Sequence, residues 1–127
     1  MLLKRVLTHR LRVVTVLVVL GILTGLFVLG AQPFAVGLVP APWDKLAHGG
    51  VFAALAIAIG LASGLRGWRR VLLAVGGAML VGWLDEWHQV YLPGRQAGWD
   101  DLVADAVGGL LGALLVIASH RAQRRVA

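Results

Sequence analysis

The residues best suited to chemistry gather at positions 83–89, Trp-Leu-Asp-Glu-Trp-His-Gln, with Pro93-Gly94-Arg95 close behind. Asp85 and Glu86 are adjacent carboxylates at the end of an apolar run that begins at Val71. That run ends after only about 21 Å of helix at 1.5 Å per residue, short of a hydrocarbon core of roughly 30 Å, so at least one carboxylate is expected below the headgroups. Ionisable groups so placed usually face a protein interior or a wet cavity. Two carboxylates in different environments can divide the roles of general acid and general base.

Other polar residues fall on helical faces that can meet this stretch. Asp44 and His48 are four apart and share a face. Asp85, His88 and Gln89 share another, with Glu86 about 100° around from Asp85 but on the side of Gln89. Asp101, Asp105, Gly108 and Gly112 follow a three/four spacing, and Arg95 lies in the loop with reach to any of these carboxylates. The catalytic candidates are therefore Glu86 as general acid or base, Asp85 or Asp105 as its partner or metal ligand, and His48. The binding candidates are Asp44, Lys45, His88, Gln89, Arg95 and Asp101, and His48 and Arg95 suit contact with a phosphate.

Plainer roles compete with these. Asp44 and Asp100 stand at helix starts, where a carboxylate can cap free amides. Lys45 can extend to headgroups, which is its expected role, and Gln89 can hydrogen-bond across helices. Asp105 lies in the second turn of its span, where capping does not explain it. No metal motif of fixed spacing is present; on residue type alone, Asp and His from three helices could bind a divalent cation. A phosphate-binding glycine loop and a Ser nucleophile elbow are absent, and Ser63 and Ser119 belong to the other end of the spans.

The elements that must position these groups are membrane spans. Hydrophobic residues make up 59% of the 127 and charged residues 14%, a membrane composition in a chain long enough for one domain, residues 1–127. The absence of cysteine excludes disulfides and thiolate metal sites. An all-α bundle of four transmembrane helices is expected, at about residues 13–31, 44–63, 71–90 and 100–119. The first could be read as a cleaved signal peptide, but it exceeds the usual apolar region of about 7–15 residues, which favours an uncleaved helix. Residues 32–43 carry Pro33, Pro40 and Pro42 and form a loop, as do residues 91–99.

Ten of the twelve basic residues lie in three short segments outside the apolar runs, and all six acidic residues lie between Asp44 and Asp105. With both termini on one side, each Arg-rich segment falls on that side, which the positive-inside rule assigns to the cytoplasm: N-in/C-in. The net charge of +6 is thus a topology signal, not a nucleic-acid signature. Trp43, Trp87 and Trp99 would line the outer interface and Trp68 the inner one. Of the small-residue pairs four apart, Gly108 and Gly112 matter most, because they continue the face of Asp101 and Asp105. Gly21 with Gly25 and Gly60 with Gly64 carry no such link.

The ordered series Asp44-Lys45-xx-His48, Arg66, Asp85-Glu86-xx-Gln89, Pro93-Gly94-Arg95 and Asp101-xxx-Asp105-xx-Gly108-xxx-Gly112 resembles the VanZ-like family of small bacterial membrane proteins. The likeness covers residues 44–112. It implies a protein of the bacterial cytoplasmic membrane linked to lowered susceptibility to teicoplanin and related lipoglycopeptides through the cell envelope. Three readings follow. In the first, an outward-facing site binds a membrane lipid or lipid-linked envelope precursor. In the second, it is an enzyme acting on such a lipid. In the third, the protein is structural or binds a partner, and its polar cluster only clamps the helices. Four short spans make a poor solute channel unless the chain forms a homo-oligomer, and no cofactor is specified by any motif.

Overall fold

The computed structural model describes residues 2–126, with side chains described for Val6 and for residues 8–118. Lys4, Arg5, His120, Arg121, Arg124 and Arg125 of the expected basic ends, and Ser119, lie outside the described side chains. Four helices make up the fold: α1 (Leu2–Thr24), α2 (Trp43–Ala62), α3 (Gly67–Gln89) and α4 (Trp99–Val126), with no strand among the described residues. A π-helical turn, Gly25–Leu29, prolongs α1, and a short 3-10 turn, Pro33–Ala35, opens the proline-rich loop.

The helices overrun the apolar segments at both ends of the chain. α1 begins at Leu2, well before residue 13, and α4 runs to Val126, past residue 119. Leu, Arg, Ala and Gln dominate these ends and all propagate helix readily, so hydropathy marks the spans and not the helix limits. Three helical segments are long and apolar enough to cross a membrane: Thr8–Leu29, Trp43–Ala62 and Trp99–Ala118. α3, which holds the expected third span, has 23 residues but buries Asp85, Glu86 and Gln89 in its last turns. Its place depends on neighbouring helices that cover those groups.

Small residues set the packing. Phe52, Leu55, Ala56, Ala74, Ala78 and Ala113 form the buried core, and Val19, Ile22 and Leu26 of α1 and its extension pack on its edge. α2 and α4 approach most closely, where a Cβ on Gly108 would overlap the Gly49 carbonyl and one on Gly112 that of Ala53. A Cβ added to Gly21 or Gly25 would meet nothing within 4 Å, so that spacing packs nothing. Leu17, Leu72, Leu80 and Leu115 are exposed on the outside of the bundle. An apolar surface around polar buried groups is the arrangement hydrocarbon favours.

At the arginine-rich end, Ser63 Oγ donates to the Gly60 carbonyl at 2.8 Å and accepts the Leu65 N–H at 3.1 Å. Arg70 Nε donates to the Leu65 carbonyl at 2.6 Å. Gly64 turns the chain with φ +65°. This compact turn leaves the start of α2, the end of α3 and the start of α4 together at the opposite end.

Candidate functional site

Polar rungs join α2 to α4 at that end. Lys45 Nζ contacts Asp44 Oδ2 at 3.0 Å, Asp100 Oδ2 at 2.9 Å and Asp101 Oδ1. Its three donors are thus directed to three carboxylates. The expected extension of Lys45 to headgroups is not what the structure holds, because opposed carboxylates from α4 stand within its reach. Asp44 lies in the first turn of α2, behind Pro42 at the N-cap position, and its carboxylate pairs with the Lys45 side chain.

One turn deeper, His48 Nδ1 lies 2.9 Å from Asp105 Oδ1. Asp105 is fully buried. The His48 ring stacks on Phe52, with centroids 6.4 Å apart. Asp105 Oδ2 points at α3, where a Cβ on Gly82 would stand 2.9 Å from it. Below this rung come the Gly49–Gly108 and Ala53–Gly112 approaches, so close helix packing and the polar rungs share one interface.

α3 divides its two carboxylates. Asp85 Oδ2 accepts from Gln89 Nε2 of its own helix at 2.9 Å, both groups being buried. Glu86 Oε2 accepts the Gly98 N–H at 2.8 Å, immediately before α4. The amide end of a helix carries partial positive charge, which suits a buried carboxylate. Ligand-capable atoms of His48, Glu86 and Asp105, one from each, lie within 4.8 Å of one another. These three are the best placed to hold a metal ion.

The remaining candidates turn toward α1. The His88 ring packs against Phe27 at 5.5 Å. Arg95 Nη2 donates to the Gly30 carbonyl at 2.7 Å, and Arg95 makes no ion pair with a carboxylate among the described residues. Its expected role as counter-charge therefore gives way to anchoring the end of the first span. A cleft of about 430 Å³ opens there, with Leu26, Val51 and Phe52 on its walls and Asp44, His48 and Arg95 among its lining. A second, of about 280 Å³, lies between Trp83, Trp87, Trp99 and Leu102, with Glu86 in its lining.

Residues 4–120 match the VanZ/LLP1 family model. The chain belongs to the VanZ/LLP1 family. The VanZ/LLP1 match takes in α1 as well as residues 44–112, in keeping with the contact of Val19, Ile22 and Leu26 with the core. No curated protein and no solved structure matches the chain.

In this VanZ/LLP1 protein the six carboxylates thus form three groups: Asp44, Asp100 and Asp101 around Lys45, Asp85 with Gln89, and Glu86 with Asp105 beside His48. Only the last combines buried carboxylates with an imidazole, the set suited to proton transfer or ligation. Two features have weak sequence signals. Trp83, Trp87 and Tyr91 form a ring ladder, with centroids 5.9 Å and 6.2 Å apart, for which the i, i+4 spacing is the available sign. The Gly98 N–H and the Gly30 carbonyl are backbone partners and leave no mark in residue type.

Proposed function

We propose that this protein is a multi-pass protein of the bacterial cytoplasmic membrane that binds or modifies a membrane lipid or lipid-linked envelope precursor. One observation supports this above others: the cleft of about 430 Å³ is lined mostly by apolar residues, while Asp44, His48 and Arg95 supply its polar groups. Such a lining suits a molecule with an acyl or prenyl chain and a polar head. Arg95 Nε is buried without a hydrogen-bond partner and could serve a phosphate oxygen. In the enzymatic form of this reading, His48 meets the head, and Glu86, which lines the second cleft, serves as the acid or base within 4.8 Å of His48. Asp105 holds His48, and Asp85 stays with Gln89.

Arg66, Arg69 and Arg70 lie at the end opposite the carboxylates. By the positive-inside rule this supports an extracytoplasmic polar site, on the side where surface lipids and lipoglycopeptides such as teicoplanin are met. A change in those lipids is the route by which this protein would alter such susceptibility. Nothing in the site recommends nucleic acid as a partner, since its carboxylates would repel phosphate backbones.

A structural reading also has support. Lys45–Asp101 and His48–Asp105 tie α2 to α4, and a clamp would need no more. Lipid profiles of deletion and wild-type cells separate the two. The lipid reading expects a lipid or lipid-linked precursor to accumulate or disappear in the deletion strain; identical profiles would favour the clamp.

A further inference from the structure

We propose that His48, Glu86 and Asp105 form a binding site for one divalent first-row transition ion, such as Zn²⁺ or Mn²⁺. The three side chains come from α2, α3 and α4, and one potential ligand atom from each lies within 4.8 Å of the others. In a tetrahedral zinc site with bonds of about 2.1 Å, ligand atoms stand roughly 3.4 Å apart. The widest pair therefore needs to close by about 1.4 Å or less, a shift on the scale of side-chain rotation.

Unsatisfied polar atoms point to the same ligand. Asp105 is fully buried and Glu86 is 7% exposed. Asp105 Oδ2 and Glu86 Oε1 are both buried without a hydrogen-bond partner. Asp105 Oδ2 faces Gly82, one turn before Glu86 on the same side of α3. Leaving buried carboxylate oxygens unpaired is costly.

No cationic side chain among the described residues relieves these two carboxylates except His48. Lys45 is directed to Asp44, Asp100 and Asp101, and Arg95 to the Gly30 carbonyl. Two carboxylates and an imidazole carry the charge a divalent ion neutralises. The mixture of one nitrogen and two oxygen donors favours Zn²⁺ or Mn²⁺ over Mg²⁺ or Ca²⁺, which prefer oxygen alone. Three protein ligands also leave a coordination position open. His48 lines one cleft and Glu86 the other, so the open position would serve a molecule bound beside either ligand. The ion site stands whether or not the clefts accept lipid.

The test is calorimetric titration of Zn²⁺ and of Mn²⁺ into the full chain, purified without a tag, stripped with chelator and checked for helicity. We expect one ion per chain for at least one of the two metals. Glu86→Gln and His48→Gln should each weaken binding at least about tenfold, while His9→Gln, at the other end of α1, should leave it unchanged. Asp105→Asn should behave like Glu86→Gln if it folds; if it does not, the other two variants decide. No saturable binding by folded wild-type protein would overturn the site, as would an affinity that either Glu86→Gln or His48→Gln leaves intact.

Discussion

Replacing Gly108 by alanine should damage the site from a distance, because the same interface carries the helix packing and the polar rungs. A Cβ at this position would overlap the Gly49 carbonyl oxygen. Restoring van der Waals contact requires α2 and α4 to part by roughly 1 Å. The 2.9 Å contact between His48 and Asp105 would then lengthen to about 3.9 Å, beyond hydrogen-bond range. Overpacking costs about 1–3 kcal/mol, and loss of a hydrogen bond involving a charged group about 1.5–3 kcal/mol. Alanine in place of glycine returns about 0.5–1 kcal/mol in helix propensity. The expected net loss is about 2–5 kcal/mol. Gly21→Ala and Gly76→Ala are the controls, since an added Cβ at either position would meet nothing within 4 Å; each should be neutral or slightly stabilising. Equilibrium unfolding in mixed micelles, followed by helicity, measures all three. If Gly108→Ala proves as stable as Gly21→Ala, the close approach of α2 and α4 is wrong.

Two further outcomes follow from charge placement. Asp101 and Asp100 both meet Lys45, but their side chains are 13% and 68% exposed. Thermal unfolding should therefore show a larger fall in Tm for Asp101→Asn than for Asp100→Asn, since exposed pairs contribute little; equal effects would contradict that ranking. For topology, reporter fusions after Thr8, Trp68 and Ala122 should score cytoplasmic, and those within residues 32–42 and 93–98 external. A mature N-terminus near Ala31 would instead reveal signal-peptide cleavage.

The parts of the fold that can be read from sequence are those fixed by helical spacing. Asp101, Asp105, Gly108 and Gly112 lie along one face of α4 because the three/four pattern is local, and that face meets α2. The pairing of Lys45 is hidden from sequence because two of its three partners lie more than fifty residues away and only packing brings them near. Arg95 escapes for a different reason: its acceptor is the Gly30 carbonyl, and a backbone oxygen has no signature in residue type. Asp85 and Glu86 are neighbours in sequence but point about 100° apart. Gln89 on the same helix then takes Asp85, while the Gly98 N–H ahead of α4 holds one oxygen of Glu86 and leaves the other unpaired. The ends of α1 and α4 escape hydropathy because arginine, alanine and glutamine continue a helix without adding to its apolar run.

The most direct test of the proposed function is the lipid profile of deletion cells complemented with wild type or with Glu86→Gln at equal abundance in the membrane. The substitution keeps an oxygen for the Gly98 N–H, now 2.8 Å from Glu86 Oε2, and removes the charge and the titrating proton. A neutral amide is also easier to bury than a carboxylate. Wild type should restore the lipid profile, and Glu86→Gln, though inserted normally, should not. Full restoration by Glu86→Gln would contradict a role for the Glu86 charge, and a deletion strain whose lipids never changed would contradict lipid binding or modification altogether.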